Sequence, residues 1–367
     1  MDRERHMRRA LDLAARGWGR VSPNPLVGCV LVRDGRVVGE GWHEGPGTEH
    51  AEAMALRVAA DRAAGATAFV TLEPCDHHGR TPPCARALIH AGVEGVIAAT
   101  GDPNPIVDGS GFRALRDAGL TVEDGLLAAD AIRQNVAFRT HVHTGRPFVL
   151  LKMASSLDGK AAARDGSSKW ITGEEARADV QRLRAWSDAV VVGSGTTLAD
   201  DPRLTVRDPA FASARPPIRV VVDPSGRVPG DRRAFDTAAP TLVATTELAP
   251  EARRREWVDT GADVALLDRD ATGGVSLPAL VELLGKRDVQ GVVMEGGPTL
   301  AWSAIRDGVV DQLVVYLAPM LVGGHGATGW LAGSGFAPIG RAAPVEIVSI
   351  RHLGPDVKVV ADVHRDR

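Results

Sequence analysis

Long apolar runs are missing from this chain: no stretch approaches the length needed to span a bilayer. A basic excess is missing too, since 43 Lys and Arg stand against 46 Asp and Glu, a net charge of -3. A general nucleic-acid binder would show a basic stripe or an aromatic stacking series, and aromatic residues make up only 4%. The clusters Arg8-Arg9, Arg232-Arg233 and Arg253-Arg254-Arg255 are short and flanked by acids, and read as solvated helix faces. Cysteine is scarce, and three in 367 residues do not make a disulfide framework. Residues 1–7 are charged and lack the apolar core of a secretory signal. These absences point to a cytoplasmic protein without a membrane or nucleic-acid partner.

What is present is a globular composition, 44% hydrophobic and 24% charged, in a chain long enough for two domains with separate cores. The informative stretch runs from His50 to Cys84: His50-Ala51-Glu52, then Thr71-Leu72-Glu73-Pro74-Cys75, then Gly79-Arg80-Thr81-Pro82-Pro83-Cys84. One imidazole and two thiols are a donor set for Zn2+, and three ligands leave a fourth position open for water, as catalytic zinc requires. Glu52 is the carboxylate placed to move protons there. Singly, a cysteine is a small buried hydrophobe and a His-x-Glu triplet is common by chance. The order and spacing of the set carry the signal.

Periodicity places these residues on structure. Residues 49–64 read as a helix with Thr48 as its N-cap, which puts His50 and Glu52 in the first turn. A strand over 66–72 ends at Pro74, and a second helix starts at Cys84. Around them lie a helix over 2–17, strands over 27–32 and 36–41 joined at Asp34-Gly35, a strand over 93–99, a helix over 111–119, a strand over 120–123 and a helix over 126–138. Cys29 falls in an apolar strand and reads as core. The pattern is a three-layer α/β/α domain. Residues 141–147, His141-Val142-His143-Thr144-Gly145-Arg146-Pro147, read as a linker, dividing the chain into 1–144 and 145–367.

The H-x-E and Pro-Cys pattern resembles the zinc nucleoside and nucleobase deaminases, with the second cysteine nine positions after the first rather than three. That longer form is similar to the deaminase half of the bifunctional riboflavin-biosynthesis deaminase–reductases. The resemblance implies a cytidine-deaminase-like fold, and a substrate site using Asn24, Asn104, Arg80 and His43. Asn24 and Asn104 stand in Pro23-Asn24-Pro25 and Asp102-Pro103-Asn104-Pro105, pairs that read alone as turns. Arg80 suits a phosphate because its guanidinium is a permanent forked donor. His77 and His78, between the two thiols, read as solvent-facing.

The second half alternates strand and helix. Strands are expected over 148–154, 189–192, 218–223, 241–244 and 291–295, with a helix over 174–186, so the sheet is mostly parallel. Glycine-rich turns at 193–195, 296–297 and 323–326 lie where the carboxyl ends of such strands bind phosphorylated ligands. Gly193-x-Gly195 lacks the third glycine of a dinucleotide fingerprint. Residues 208–217 and 225–275 carry no readable motif, and Trp186, Trp302 and Trp330 read as packing.

The motifs Lys152-x-Ala154-x-Ser156-Leu157-Asp158-Gly159-Lys160, Ser168-Lys169-Trp170-Ile171-Thr172, Gly193-x-Gly195-Thr196 with Asp200-Asp201-Pro202, and Glu295-Gly296-Gly297-Pro298 resemble the reductase half of the same family, which is similar in fold to dihydrofolate reductase. The resemblance implies that NADPH is held by Ala154, Trp170, Thr196, Asp200 and the turn Gly297-Pro298-Thr299-Leu300-Ala301-Trp302-Ser303. It implies that a phosphoribosylaminopyrimidine substrate is held by Ser168, Arg184, Leu204, Arg207 and Glu295. It also implies a homo-oligomer, a dimer or tetramer, formed through the reductase half.

Two rivals keep the zinc site. A nucleic-acid deaminase would need the basic groove that the composition lacks. A structural zinc domain beside a nucleotide-sensing module would need a fourth ligand, for which His77 and His78 are the nearby candidates, and would have no use for Glu52.

Overall fold

The computed structural model describes residues 2–76, 82–105, 107–211 and 215–363, and the chain parts into two units, Met1–Gly145 and Arg146–Arg367. The first unit opens with α1 (Arg3–Ala14), which starts where the Asp2 carboxylate accepts the Arg5 N–H and buries Met7, Ala10 and Leu13 on one face. A hairpin follows, β1 (Gly28–Arg33) and β2 (Arg36–Trp42), turning at Asp34-Gly35 with both residues at positive φ. Next come α2 (Ala51–Ala59), β3 (Thr67–Val70), α3 (Cys84–His90), β4 (Gly95–Ala98), α4 (Ser110–Asp117) and β5 (Thr121–Glu123). The unit ends with α5 (Ala128–Gln134) and α6 (Val136–Thr144).

Its sheet, among the described residues, has five strands in the order β2-β1-β3-β4-β5, with β3, β4 and β5 parallel and β1 antiparallel to both neighbours. Period-two alternation sends Cys29 and Leu31 to one face and Val30 and Val32 to the other. The first pair packs with Ala51, Ala55 and Ala59 of α2, Leu88 of α3 and Leu115 of α4. The second pair packs with Met7, Ala10 and Leu13 of α1 and with Ala131 of α5. This is the three-layer α/β/α arrangement.

Glycines on the strands let the helices settle close. A Cβ on Gly41 would stand 2.2 Å from the Ala51 carbonyl oxygen, and one on Gly39 2.2 Å from that of Ala55. On the other face a Cβ on Gly28 would stand 2.0 Å from the Ala10 carbonyl oxygen. No side chain fits at these three positions without moving the backbone.

The second unit contains β6 (Phe148–Ser156), β7 (Lys160–Ala162), α7 (Glu174–Trp186), β8 (Ala189–Gly193), α8 (Ser194–Asp200), β9 (Ile218–Val222), β10 (Thr241–Thr245), α9 (Glu251–Asp259), β11 (Asp263–Leu266), α10 (Leu277–Lys286), β12 (Gly291–Met294) and α11 (Pro298–Arg306). It closes with β13 (Gln312–Ala318), β14 (Thr328–Gly329), β15 (Val345–Leu353) and β16 (Asp356–Val363). Nine of the described strands form one sheet in the order β11-β10-β9-β8-β12-β6-β13-β16-β15. It is parallel from β11 to β13 and finishes in the antiparallel hairpin β15–β16. Val149, Leu151 and Met153 of β6 pack with α10 and α11 on one face, while Val190 and Val192 of β8 pack with Val221, Val243 and Trp257 on the other. The strand β12 returns between β8 and β6, so the crevice at their carboxyl ends is the topological switch point of the sheet.

Four expectations are corrected. The N-cap of α2 is His50 itself rather than Thr48, which instead closes a local turn onto the Gly45 carbonyl. The helix expected over 126–138 is two helices, interrupted at Asn135 by a tertiary contact. The residues expected as linker are helical through Thr144, and Gly145 at φ 70° ends the helix. Finally, 297–303 is not a turn: Gly297 is the N-cap of α11 and the rest is helix.

Candidate active site

Three elements bring the first site together. His50 stands at the N-cap of α2, Cys75 in the loop that leaves β3, and Cys84 at the first position of α3, after Pro83. One ligand atom from each lies within 4.8 Å of the others. His50 Nδ1 is 3.2 Å from the Cys84 sulfur and 3.7 Å from the Cys75 sulfur. A tetrahedral zinc with bonds of about 2.0–2.3 Å separates its N and S ligands by roughly 3.5 Å, so the spacing and the donor set both fit this ion.

The electrostatics are those of a thiolate site. Cys75 is pushed down to about 4 by the hydrogen bond from Cys84, with His50 contributing. Cys84 moves the other way, because it donates to Cys75 and is buried. His50 is raised, chiefly by its hydrogen bond to Cys75. Glu52, in the first turn of α2 and 3% exposed, is hydrogen-bonded to Cys84. Burial pushes its carboxyl up to about 7, and the charge of Cys75 adds to that. A carboxylate poised near neutrality beside the three ligands can both accept and return a proton.

A chain of polar contacts leads away from His50. The His43 ring meets it edge-on at 5.6 Å, and His43 Nδ1 is 3.1 Å from the Glu49 carbonyl. His43 Nε2 is 2.9 Å from Asn24 Nδ2. The buried Asn135 pairs with both backbone groups of Leu26: its Oδ1 accepts from Leu26 N at 2.7 Å and its Nδ2 donates to Leu26 O at 2.9 Å. Asn135 therefore fixes the segment that carries Asn24. His43, expected to hold substrate, has both ring nitrogens within hydrogen-bond distance of protein atoms and lies between Asn24 and His50. Asn104 lies in a loop where its N–H donates to Asp102 Oδ1 at 2.9 Å. Arg80, His77 and His78 lie outside the described residues.

The second site is the crevice at the carboxyl ends of β6, β8 and β12. Ala154 and Lys152 line β6, both half-buried. Thr196 follows β8, and a Cβ on Gly297 would stand 3.2 Å from its hydroxyl, so α8 and the start of α11 nearly touch. Asp200 pairs with Lys169 at 3.2 Å, beside Trp170, whose ring is 70% exposed with the Arg177 guanidinium 4.7 Å from its centroid. Ser168 is half-buried, and Arg207 is exposed, with its backbone N–H bound to Gln181. The Asp158 carboxylate accepts the Val322 and Gly323 N–H groups at 3.1 and 2.7 Å and so holds the glycine-rich turn after β13.

Arg184 and Glu295, each expected to face substrate, pair with each other. Arg184 Nε and Nη2 meet the two Glu295 oxygens at 2.6 and 2.8 Å, and Arg184 Nη1 reaches the Thr205 carbonyl. Burial works to raise the Glu295 pKa, and the guanidinium outweighs it, leaving the carboxyl below its ordinary value. Leu204 at φ 57° sends its side chain into the core, as do Leu300 and Ala301, so only their backbone can meet a ligand. Trp302, expected both as packing and at the cofactor, is buried, with its ring centroid 4.9 Å from that of Phe336. Pro298 and Ser303 are half-buried and Thr299 is exposed at the first turn of α11.

Lys152 opens one of the reductase motifs but was given no role of its own. Its ammonium lies in the fields of Glu295, Arg184 and Asp200, and burial lowers its pKa. The signal was in the sequence: a lysine interrupts an otherwise continuous apolar strand.

Fold and sites define a class: a zinc-ligating deaminase unit followed, in one chain, by an α/β reductase unit with its crevice at the switch point. Residues 1–100 match the family model of the cytidine and deoxycytidylate deaminase zinc-binding region, and residues 147–359 match that of the RibD C-terminal domain. The riboflavin biosynthesis protein RibD of Escherichia coli is 44% identical, covering 97% of this chain and 98% of its own. That of Bacillus amyloliquefaciens is 38% identical, covering 99% and 100%. Among solved structures, RibD of Acinetobacter baumannii superposes with a TM-score of 0.89 at 38% identity, over 99% of both chains. A Thermotoga maritima diaminohydroxyphosphoribosylaminopyrimidine deaminase/5-amino-6-(5-phosphoribosylamino)uracil reductase superposes with a TM-score of 0.87 at 35% identity, again over 99% of both. The chain belongs to the RibD family of riboflavin biosynthesis proteins, enzymes that join a zinc-dependent deaminase to a reductase.

Proposed function

We propose that residues 1–144 deaminate 2,5-diamino-6-(5-phosphoribosylamino)pyrimidin-4(3H)-one, and that residues 145–367 then reduce the ribosyl group of the resulting 5-amino-6-(5-phosphoribosylamino)uracil to ribityl. The observation that carries the first step is the buried Glu52 beside His50, Cys75 and Cys84. Zinc bound by those three residues would supply a water acidic enough to ionise near neutral pH and to add to the amino-bearing carbon of the pyrimidine. Glu52 is placed to accept a proton from that water and to give one to the exocyclic amino group, whose bond to the same carbon breaks as ammonia leaves and the carbonyl forms. Asn24, Asn104 and Arg80 orient the pyrimidine and its ribose phosphate, and His43, between Asn24 and His50, keeps the two in register.

In the second unit, Ala154, Trp170, Thr196, Asp200 and the Gly297–Pro298–Thr299 end of α11 would hold NADPH, whose chemistry is to donate the hydride that C1′ of the ribosylamino group needs. Ser168, Arg207 and the backbone at Leu204 hold the substrate. Arg207 stands in the fields of Arg184, Arg203 and Arg233, a cationic surround suited to phosphate. The Arg184–Glu295 pair forms the buried floor, and Lys152 adds an ammonium donor.

Two further assignments accompany this reading. The enzyme is cytoplasmic, because a reduced thiolate pair needs a reducing compartment, and no helix among the described residues is long and apolar enough to cross a membrane. It is a homo-oligomer through the second unit, whose outermost strand β15 exposes Val345, Ile347, Val348 and Ile350 at 45–61%. The deciding assay uses protein of known zinc content and the phosphoribosylaminopyrimidine substrate, reading ammonia first and NADPH absorbance second. Both signals are expected. Zinc bound with neither signal would return the first unit to a structural role, and ammonia without NADPH oxidation would remove the reductase assignment.

A further inference from the structure

We propose that Glu73 is a positioning residue for deamination: its carboxylate clamps the loop carrying Asp102 and Asn104 onto the segment that delivers Cys75. The inference rests on the deaminase reading and on the placement of Asn104 at substrate. Glu73 sits two residues before a zinc ligand, in the stretch Thr71-Leu72-Glu73-Pro74-Cys75, and is 4% exposed. A carboxylate that buried is costly unless its oxygens are satisfied. No side-chain cation is seen paired with it among the described residues; backbone amides do the work instead. Oε2 accepts from Asp102 N at 3.3 Å and Gly109 N at 3.3 Å, and Oε1 accepts from Phe112 N at 3.2 Å.

The three donors mark both ends of one loop. Asp102 opens it, Gly109 closes it, and Phe112 lies in the first turn of α4, which has no side-chain cap of its own. Within the loop, Asp102 Oδ1 takes the Asn104 N–H, and the Asn104 carbonyl takes those of Val107 and Asp108 at 2.8 and 3.1 Å. Residue 106 lies outside the described residues; on either side of it, the two ends of the loop are tied to one and the same carboxylate. Contact with the clamp is close: a Cβ on Gly111 would stand 1.7 Å from the Pro74 carbonyl oxygen.

On its other side the same segment is tied to the ligand helix. The Cys75 carbonyl accepts from Ala85 N at 3.0 Å, and Asp76 forms a forked pair with Arg86 at 2.7 and 3.0 Å. Residues 73–76 thus connect the metal-ligating α3 to the loop of Asn104, and Glu73 is the half of that connection facing the loop. It does not act on the reacting atoms, so its removal should weaken substrate positioning while leaving the proton chemistry of Glu52 intact.

Glu73→Gln tests this, because its amide presents donors to donors on one side. Deaminase KM should rise about 10- to 100-fold, the loss expected for a charged hydrogen-bonded acceptor, with kcat within about threefold. Zinc per chain and NADPH-dependent reduction of the deaminated product should be unchanged, and amide exchange at Asp102, Gly109 and Phe112 should accelerate. An unchanged KM, or a joint fall of kcat, zinc content and thermal midpoint, would overturn the proposal, the second result marking Glu73 as merely structural. If Glu73→Gln does not fold, Glu73→Asp keeps the charge one methylene short and should show the same KM-selective defect in milder form; its absence also overturns the proposal. Failure of the deaminase reading is separate, since wild-type protein would then release no ammonia.

Discussion

Breaking the Arg184–Glu295 pair from one side only is the most demanding test of the second site. The two side chains are 11% and 8% exposed and meet through two hydrogen bonds of 2.6 and 2.8 Å. Glu295→Leu leaves a guanidinium buried without its counter-charge, and Arg184→Met leaves a carboxylate in the same state. Each should cost about 3–5 kcal/mol, which for a unit of this size lowers the thermal midpoint by about 6–20 °C. The double variant removes both charges and should recover most of that loss. Calorimetry of the full chain reads the stabilities, and NADPH oxidation reads the function. If the pair is also the floor of the substrate site, the double variant regains stability and still fails to reduce substrate, while ammonia release continues. The sign in pH follows from the direction of the Glu295 shift. Its folded pKa lies below the unfolded one, so the contribution is complete above the unfolded value and is lost as pH falls through the folded value. Single variants within about 1 kcal/mol of wild type would refute the reasoning, because a pair that cheap to break is solvated.

Three other outcomes are expected. Glu52→Gln should lower deaminase kcat about 100- to 10,000-fold with zinc retained, as loss of general acid–base help requires; zinc loss in that variant would mean Glu52 supports the ligands instead. Asn135→Ala should leave the Leu26 backbone groups unsatisfied and cost about 1–3 kcal/mol, with a rise in deaminase KM through Asn24, measured by urea unfolding and ammonia release. His6, buried against Phe69, has its pKa lowered mainly by burial. The contribution of its neutral form is complete above the unfolded pKa and is lost as pH falls from there through the folded value, so wild type should lose more stability on acidification than His6→Gln.

The zinc site was legible because its ligands are chemically distinctive and lie within one short stretch of chain, two at helix starts and one in the loop just past a strand end. Other features depend on contacts that sequence does not display. Arg184 and Glu295 are 111 residues apart, so two residues with matching ligand chemistry looked like two contacts rather than one pair. Nothing local breaks the chain at Asn135, where there is neither glycine nor proline; the interruption is stabilised by Leu26, 109 positions away. Leu204, Ala301 and Trp302 were expected at ligand sites, yet their side chains are buried, because a sequence position names a residue without showing which way its side chain turns. The silence of 225–275 has the opposite cause. That region builds β10, α9 and β11 and buries Trp257, whose indole N–H is bound to the Val228 carbonyl, and packing leaves no chemical signature.

The close seat of α2 on the sheet bears on how this enzyme can vary. Gly39 and Gly41 face the carbonyls of Ala55 and Ala51, so the helix that presents His50 and Glu52 rests on backbone rather than on interchangeable side chains. In a library of random substitutions, a leucine lost from a core can be compensated by a neighbour, but a methyl gained at Gly41 has nowhere to go except into the seat of the helix itself. The least replaceable residues of the deaminase unit should therefore include two with no reactive group, and a mutational scan scored on ammonia release should rank them beside the ligands.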